Sequence, residues 1–491
     1  MTSFQSSEFK SWELMIGFAI LALIMLLGNI IRRKIKFFRN LLFPTAIIAG
    51  FLGLGVKYLF YYSPEIMAGI FKYTSSSLDG FKNITHSYNW MLQSITYHSL
   101  ALGFIALGLK TAKDSKTKKI KGRPIKTGLL IVNTYLLQGI IGLIFTIGLG
   151  YIWASVSKYS GVLLPMGFGQ GPGQANNIGL VFEGQGFAGG QAFGLAIATI
   201  GFVWASVAGV FYINKRAKEG KLTRVSEEKA KSVNNHEIES EDEIPVAEAI
   251  DKMSIQIILI VITYAMAYGF MYLVTWLIGS GSDFANSMTS LIWGFNFIFA
   301  MLFAILVKLV IKFLRKKGWM KRKYTNEYIL NRISGVLFDF MVAASLMSIN
   351  IESLIDTGLI VTLILMTTAA GIITYFYLIY ATKRVYPDYQ HEAFATLFGN
   401  LTGTAPNGIA LLREIDPDFE TPASDDLVTG SSAAVMFGAP ILIITGIIYL
   451  PEWYYLWGSF IAMIIFFVIF NFFMLRTKKI KKVAEETEIS E

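Results

Sequence analysis

The sequence predicts an all-α polytopic membrane protein of about eleven transmembrane helices, and three observations support this fold class. First, 54% of the 491 residues are hydrophobic and only 16% are charged, which is more apolar surface than a soluble core buries. Second, long apolar stretches recur along the chain. Third, Lys and Arg form short runs just after these stretches, as they do in cytoplasmic loops.

The remaining composition excludes several classes of protein. The formal net charge of +9 does not indicate nucleic-acid binding, because the basic residues lie beside apolar stretches. Cysteine is absent, so disulfides, thiolate metal sites and cysteine nucleophiles are excluded. The first apolar run has neither a basic leader nor a small-residue cleavage site, and we expect it to be a retained helix.

Eleven stretches are long enough to cross the hydrocarbon core, which takes roughly 20 residues each. They are Trp12–Ile31, Leu41–Tyr62, Ser94–Ala112, Thr127–Val156, Gly190–Ile213, Met253–Gly279, Met288–Leu314, Ile329–Asn350, Thr357–Tyr380, Leu427–Leu450 and Tyr454–Leu475.

The orientation of the spans follows from the loops between them. Loops on one side carry 34 Lys and Arg residues, whereas those on the other side carry only Lys10, Lys72, Lys82 and Lys158. The positive-inside rule therefore predicts an outer N-terminus and a cytoplasmic C-terminus in a multi-pass protein of the cell membrane.

A polar stretch divides the chain into two halves of five spans each. Residues 217–250 mix Glu, Lys, Ser and Asn, as a cytoplasmic linker does. Residues 1–216 form the first half, 251–450 the second, and 451–491 an extra helix with a tail. Because five is odd, the second half starts on the opposite side, which predicts an inverted-topology repeat. A chance linker between evenly spread helices is the alternative.

Each half contains one apolar segment interrupted by Gly and Pro. The first, Leu163–Gln191, joins two spans that end outside, and we expect it to enter the membrane from that side and return. The second, Glu392–Arg413, joins two spans that end in the cytoplasm and should enter from there. The alternative is a pair of ordinary loops. Broken segments at matching positions of two halves indicate a transporter binding site, because irregular backbone survives in a bilayer only where it lines a cavity.

The broken segments offer the chemistry that such a site needs. Half-helix N-termini present N–H groups to an anion, and unwound carbonyls can coordinate a small cation. Glycine lets the backbone approach a ligand closely. The first segment lacks the Gly-Lys-Ser/Thr ending of a phosphate loop, and its glycine spacing does not match a dinucleotide fingerprint.

Four stretches of the chain resemble the sodium/glutamate symporter family. They are Tyr97–Leu109, Gly169–Asn177, Ala343–Ile349 and Gly403–Ala410, within two regions of similarity near Ser94–Ile213 and Ile329–Leu450. The family's first re-entrant loop usually reads Gly-Gly-His-Gly-Thr, whereas Gly171-Pro172-Gly173-Gln174 stands in that region without a histidine. The eleventh span is a further departure from the usual ten.

The resemblance implies a homodimeric elevator-type transporter, in which a mobile domain carries the substrate beside a static scaffold. It also implies glutamate or a similar anionic small molecule as substrate and Na⁺ as coupling ion. The predicted substrate-binding residues are Gly169, Gln170, Gly171, Gly173, Gln174, Asn176, Asn177, Thr402, Gly403, Thr404 and Asn407. The predicted sodium ligands are Asn400, Thr404 and Asp339.

Several charged or polar residues in or beside the spans each allow two roles. Asp339 is expected either to hold a cation or to pair with Arg332, and His98 either to line the substrate route or to be a satisfied core residue. Arg413 is expected to clamp a carboxylate or to anchor the segment at the interface. For Asp425 and Asp426, at the start of the tenth span, helix capping is the favoured role.

Two functions remain open for the resembled fold: a sodium-coupled symporter for an anionic amino or carboxylic acid, and a proton-coupled or exchange carrier for another organic anion. A membrane-embedded enzyme is disfavoured, because the sequence has no His-Glu-x-x-His motif, no paired intramembrane aspartates and no Gly-x-Ser-x-Gly motif. A channel is disfavoured by the broken segments in both halves.

Overall fold

The structure is a computed structural model, and within the residues it describes every regular element is a helix. The described residues are 3–62, 76–110, 122–219, 252–279, 281, 283–320, 322, 324–416 and 421–476. The predicted linker at 217–250 lies almost wholly outside these ranges, as does the chain after 476.

Eighteen α-helices are numbered here in chain order. Those of the first half are α1 Ser3–Lys34, α2 Lys36–Asn40, α3 Thr45–Tyr62, α4 Ser76–Leu109, α5 Arg123–Leu149, α6 Leu163–Phe168, α7 Pro172–Gly184 and α8 Gly190–Lys218. Those of the second half and the C-terminal region are α9 Lys252–Ile278, α10 Asp283–Gly294, α11 Asn296–Lys316, α12 Glu327–Met347, α13 Thr357–Val385, α14 Gln390–Thr402, α15 Ala405–Arg413, α16 Ala423–Phe437, α17 Ala439–Ile447 and α18 Trp453–Leu475.

Nine helices in the described part of the chain are long and apolar enough to cross a membrane. A tenth span results if α16 and α17, which meet at a 50° bend, are counted as one. The second predicted span is the shorter apolar helix Thr45–Leu59. The multi-pass membrane class is therefore confirmed, whereas two predicted spans are not continuous helices.

The two interrupted spans break for different reasons. The predicted span Leu427–Leu450 bends at Gly438, because Pro440 in the first turn of α17 has no N–H to donate back into α16. The predicted span Met288–Leu314 is interrupted at Phe295, which leaves the helical conformation between α10 and α11 with φ −97° and ψ 27°. No proline marks this second break, so the apolar pattern alone concealed it.

The spans pack as two groups. The flanking group contains α1, α3, α4, α9, α10, α11 and α12. The hairpin group contains α5, α6, α7, α8, α13, α14, α15, α16 and α18. Each half of the chain contributes its first three spans to the flanking group and its last two spans, with its broken segment, to the hairpin group. The two halves of the chain thus contribute to both groups in the same way.

A charged side chain fixes α3 to α12 inside the flanking group. The ammonium group of Lys57 donates hydrogen bonds to three oxygens, which are Asn89 Oδ1 at 2.9 Å, Met347 O at 3.1 Å and Ile349 O at 3.0 Å. The last carbonyls of a helix lack partners within the helix, and a cation suits the negative end of its dipole. Lys57 therefore caps α12 from the neighbouring helix.

Candidate functional site

The first broken segment is a hairpin of two helical limbs, α6 and α7. The limb α6 ends at Phe168, and Gly169 N and Gln170 N both donate to Pro165 O at its end. Gly171 then takes φ +89°, a conformation that glycine adopts without strain. Pro172 follows at the first position of α7, where a missing N–H costs nothing. The chain thus reverses inside the bundle rather than passing through it.

The second broken segment has the same construction. The limb α14 ends at Thr402, and α15 begins after Thr404, with Gly403 between them. A Cβ on Gly399 would lie 2.7 Å from the Cα of Gly408, so the two limbs approach closely because both positions are glycine. This contact holds α14 and α15 side by side as a hairpin.

The two hairpin tips touch each other. A Cβ on Gly171 would lie 3.0 Å from Thr404 Cγ2 and 3.4 Å from Gly403 O. These residues are more than 200 positions apart in the sequence, and they come together because both hairpins pack against α8. The tips therefore form one site from two halves of the chain.

The touching tips present N–H groups. In α7 the N–H of Ala175 is the first to bond within the helix, to Gly171 O at 3.2 Å, which leaves the N–H groups of Gly173 and Gln174 without an acceptor in the helix. In α15 the corresponding N–H of Asn407 bonds Thr404 O at 2.9 Å, and Pro406 has none. The first tip is thus the richer donor for an anion.

The hydroxyl groups of the second tip have partners in the protein. Thr402 Oγ1 donates to Phe398 O at 2.7 Å, and Thr404 Oγ1 donates to Asn407 Oδ1 at 2.8 Å. Gln174 at the first tip differs, since its buried Oε1 has no hydrogen-bond partner in the structure. Compared with Thr402 and Thr404, Gln174 therefore keeps a side-chain oxygen that can accept a hydrogen bond from a ligand.

Asn176 and Asn177 lie one turn beyond the first tip and take part in a chain of side-chain amides. Gln191 donates to Asn176 at 2.8 Å, Asn176 to Asn177 at 3.2 Å, and Asn177 to Gly294 O at 3.2 Å and to Asn296 Oδ1 at 3.5 Å. The asparagines thus connect α7 in the hairpin group to the break between α10 and α11 in the flanking group.

The amide chain continues at both ends within the flanking group. Gln93 donates to Gln191 at 3.1 Å, while Asn296 donates to the hydroxyl of Tyr264 at 3.3 Å. The same hydroxyl lies 2.8 Å from Nδ1 of His98. His98 is exposed, so the expectation of a core histidine is wrong, and it reaches the hairpins through this chain.

Asp339 and Arg413 are both exposed. Asp339 is an exposed residue of α12 in the flanking group. The expected pairing with Arg332 is wrong, because that guanidinium lies over the ring of Tyr328 at 5.2 Å. Arg413 is exposed in the last turn of α15.

Asp425 and Asp426 lie in the first turn of α16, as predicted for capping residues. Asp426 also accepts a hydrogen bond from the hydroxyl of Tyr389, and its Oδ2 lies 3.7 Å from Nε of Arg123. This carboxylate therefore connects α16 to α5 as well as facing the helix dipole.

Gln138 in α5 is a site residue that the sequence did not reveal. Its side chain is fully buried and donates to Leu401 O at 2.9 Å, at the end of α14. A Cβ on Gly169 would lie 3.0 Å from its Oε1. The available signal was one of the two amides in a long apolar stretch, Asn133 and Gln138, and such an amide resembles the many polar residues that serve packing.

The two tips differ in exposure. Gly171, Pro172 and Gly173 are buried, and a Cβ on Gly173 would lie 2.7 Å from Met341 Sδ in the flanking group. Ala405 and Pro406 of the second tip are exposed. The site is thus closed along α7 and open along α15.

Two helix-break-helix hairpins that meet inside a bundle of spanning helices are a construction found in many secondary transporters. A sequence profile of the sodium/glutamate symporter family matches residues 11–421. The chain belongs to this family, and membership implies a transporter rather than an enzyme. No curated protein matches the chain.

The family match includes both hairpins and ends before the last three helices. The match covers residues 11–421, whereas the regions of similarity in the sequence begin at Ser94 and extend to Leu450. α16, α17 and the extra helix α18 therefore follow the matched region, although α16 and α18 pack against α5.

Proposed function

We propose that the protein is a sodium-coupled symporter that carries glutamate or a related anionic amino or carboxylic acid across the cell membrane. The contact between the two hairpin tips carries this proposal. It puts N–H donors from one tip and exposed backbone from the other at one place inside the bundle, and family membership supports sodium and glutamate as the transported species.

The substrate carboxylate would bind at the N-terminus of α7, where Gly173 and Gln174 offer N–H groups. The unpartnered Oε1 of Gln174 would accept a hydrogen bond from the α-ammonium group of an amino acid. Asn176, Asn177 and Asn407 would support the site without binding the substrate directly, since their side chains already have hydrogen-bond partners. Sodium would need neutral oxygen ligands here, because the described residues contain no cluster of three or more His, Asp or Glu side chains.

We propose an elevator mechanism in which the hairpin group moves against the flanking group. The packing of the helices supports it, because both hairpins belong to one group. The second tip is exposed and the first tip is covered, which supports a conformation whose binding site is accessible from the side of α15. In the predicted orientation this side is cytoplasmic. A homodimer would form through the outer helices of the flanking group.

Uptake of radiolabelled glutamate into proteoliposomes tests the function. Uptake should require an inward sodium gradient, and replacing sodium with potassium should abolish it. Glutamate uptake driven by a proton gradient without sodium would support the alternative of a proton-coupled carrier. If neither gradient drives glutamate uptake while another organic anion is exchanged, the substrate assignment is wrong.

A further inference from the structure

Gln138 lies between the ends of the first limbs of both hairpins. These limbs, α6 and α14, end at Phe168 and Thr402 and converge on α8, where Gly201 contacts both. A Cβ on Gly201 would lie 2.4 Å from Thr402 O and 3.0 Å from the ring of Phe168. Gln138 of α5 contacts the same two ends, at Gly169 and Leu401.

The orientation of the Gln138 amide is fixed by its partners. Leu401 O can only accept a hydrogen bond, so the nitrogen must face it, and this nitrogen also lies 3.4 Å from Thr374 Oγ1. The oxygen must therefore face the end of α6, beside Gly169. This Oε1 is fully buried and has no hydrogen-bond partner.

An unpartnered buried acceptor is costly unless a ligand satisfies it. Around Gln138 the nearby main chain also offers acceptors, because the last carbonyls of both limbs lack partners within their helices. The carbonyls at these two helix ends are neutral oxygens, and each lies at the negative end of its helix dipole. This surplus of acceptors calls for a small cation rather than an anion.

We propose that Gln138 Oε1 is a ligand of a sodium ion held between the ends of the two first limbs, together with main-chain carbonyls of those limbs. The proposal rests on the proposed sodium coupling and assigns it a ligand outside the hairpins. A sodium ion there would connect α5 to both hairpins, so that ion occupancy sets how the two tips are held for the substrate.

Direct binding of radioactive sodium to the purified full-length protein in detergent, without substrate, tests this ligand. Choline chloride keeps the ionic strength constant. Gln138→Leu, which keeps the size of the side chain and removes its oxygen, should raise the half-saturating sodium concentration about tenfold or more. Gln138→Glu, which keeps an oxygen and adds a negative charge, should lower the half-saturating sodium concentration below that of the wild type.

Asn133→Leu is the matched control on the same helix. Asn133 is also fully buried and has an unpartnered Oδ1, but its nitrogen donates to the hydroxyl of Tyr377 at 2.7 Å, away from the limb ends. The half-saturating sodium concentration of the Asn133→Leu protein should differ from the wild-type value by less than about twofold.

The outcomes separate the two proposals. If the wild-type protein binds no sodium, the proposed coupling fails. If it binds sodium and Gln138→Leu binds equally well, the coupling stands and Gln138 is not a ligand. Equal losses in Gln138→Leu and Asn133→Leu would also overturn the assignment, as would a loss in Gln138→Glu. Should Gln138→Leu fail to fold, tighter sodium binding by Gln138→Glu than by the wild type would support the ligand, and unchanged or weaker binding would overturn it.

Discussion

A disulfide across the boundary between the two helix groups should stop transport if the hairpin group moves. The cysteine pair Val181→Cys and Gly294→Cys joins α7 to the end of α10, and the chain has no native cysteine to interfere. A Cβ on Gly294 would lie 2.9 Å from Val181 Cγ2. One more carbon–carbon bond of about 1.5 Å keeps the two Cβ atoms within about 4.5 Å, a distance that a disulfide spans.

The size of the effect follows from this geometry. A disulfide allows the Cβ separation to vary by only about 1 Å, whereas a slide of α7 by one helical turn would move it about 5.4 Å. Oxidised protein in proteoliposomes should therefore lose at least about nine tenths of its sodium-driven uptake. Reduction with dithiothreitol should restore the uptake.

A second pair controls for damage by the cross-link itself. Gly128→Cys and Ala433→Cys lie on α5 and α16, both in the hairpin group, and a Cβ on Gly128 would lie 2.8 Å from the Cβ of Ala433. A separation of the two helices by about 1 Å brings this pair into the disulfide range. These helices should move together, so oxidation of this pair should leave most of the uptake intact. Full transport by the oxidised Val181–Gly294 pair, with the cross-link verified by mass spectrometry, would refute relative motion at this boundary.

Three further predictions concern the tips and the topology. Gly173→Val should abolish uptake by pushing α7 away from Met341, at an overpacking cost of about 1–3 kcal/mol. Adding Met341→Ala should partly restore it, and an unaltered Gly173→Val uptake rate would contradict the contact. Asn407→Ala should weaken sodium-dependent glutamate binding more than it lowers the melting temperature, because Thr404 loses a single partner; calorimetry and binding on one preparation compare the two losses, and a large melting shift with normal affinity would argue for a structural role. Ala154→Cys should react with an impermeant maleimide in intact cells and Lys317→Cys only after permeabilisation, and the reverse pattern would invert the orientation.

The sequence determined the class of the protein and the position of its irregular segments. Apolar stretches of the right length predicted the spans, since length and hydropathy are what the bilayer requires of a helix. Gly171-Pro172 and Gly403–Pro406 located both hairpins, because glycine and proline close together disfavour a continuous helix. The break at Phe295 escaped prediction, because it has no proline and only a single glycine, Gly294, such as continuous helices also contain.

The tertiary structure alone decided which polar groups share the site. Gly171 meets Thr404, Asn177 meets Asn296, and Gln138 meets Leu401, each pair separated by more than 100 positions. No local pattern connects such residues, because a buried amide in an apolar helix looks the same whether it faces a ligand, a neighbouring amide or a carbonyl. Helix packing brings these groups together, and the division into two groups that follows from it determines which contacts lie on the boundary.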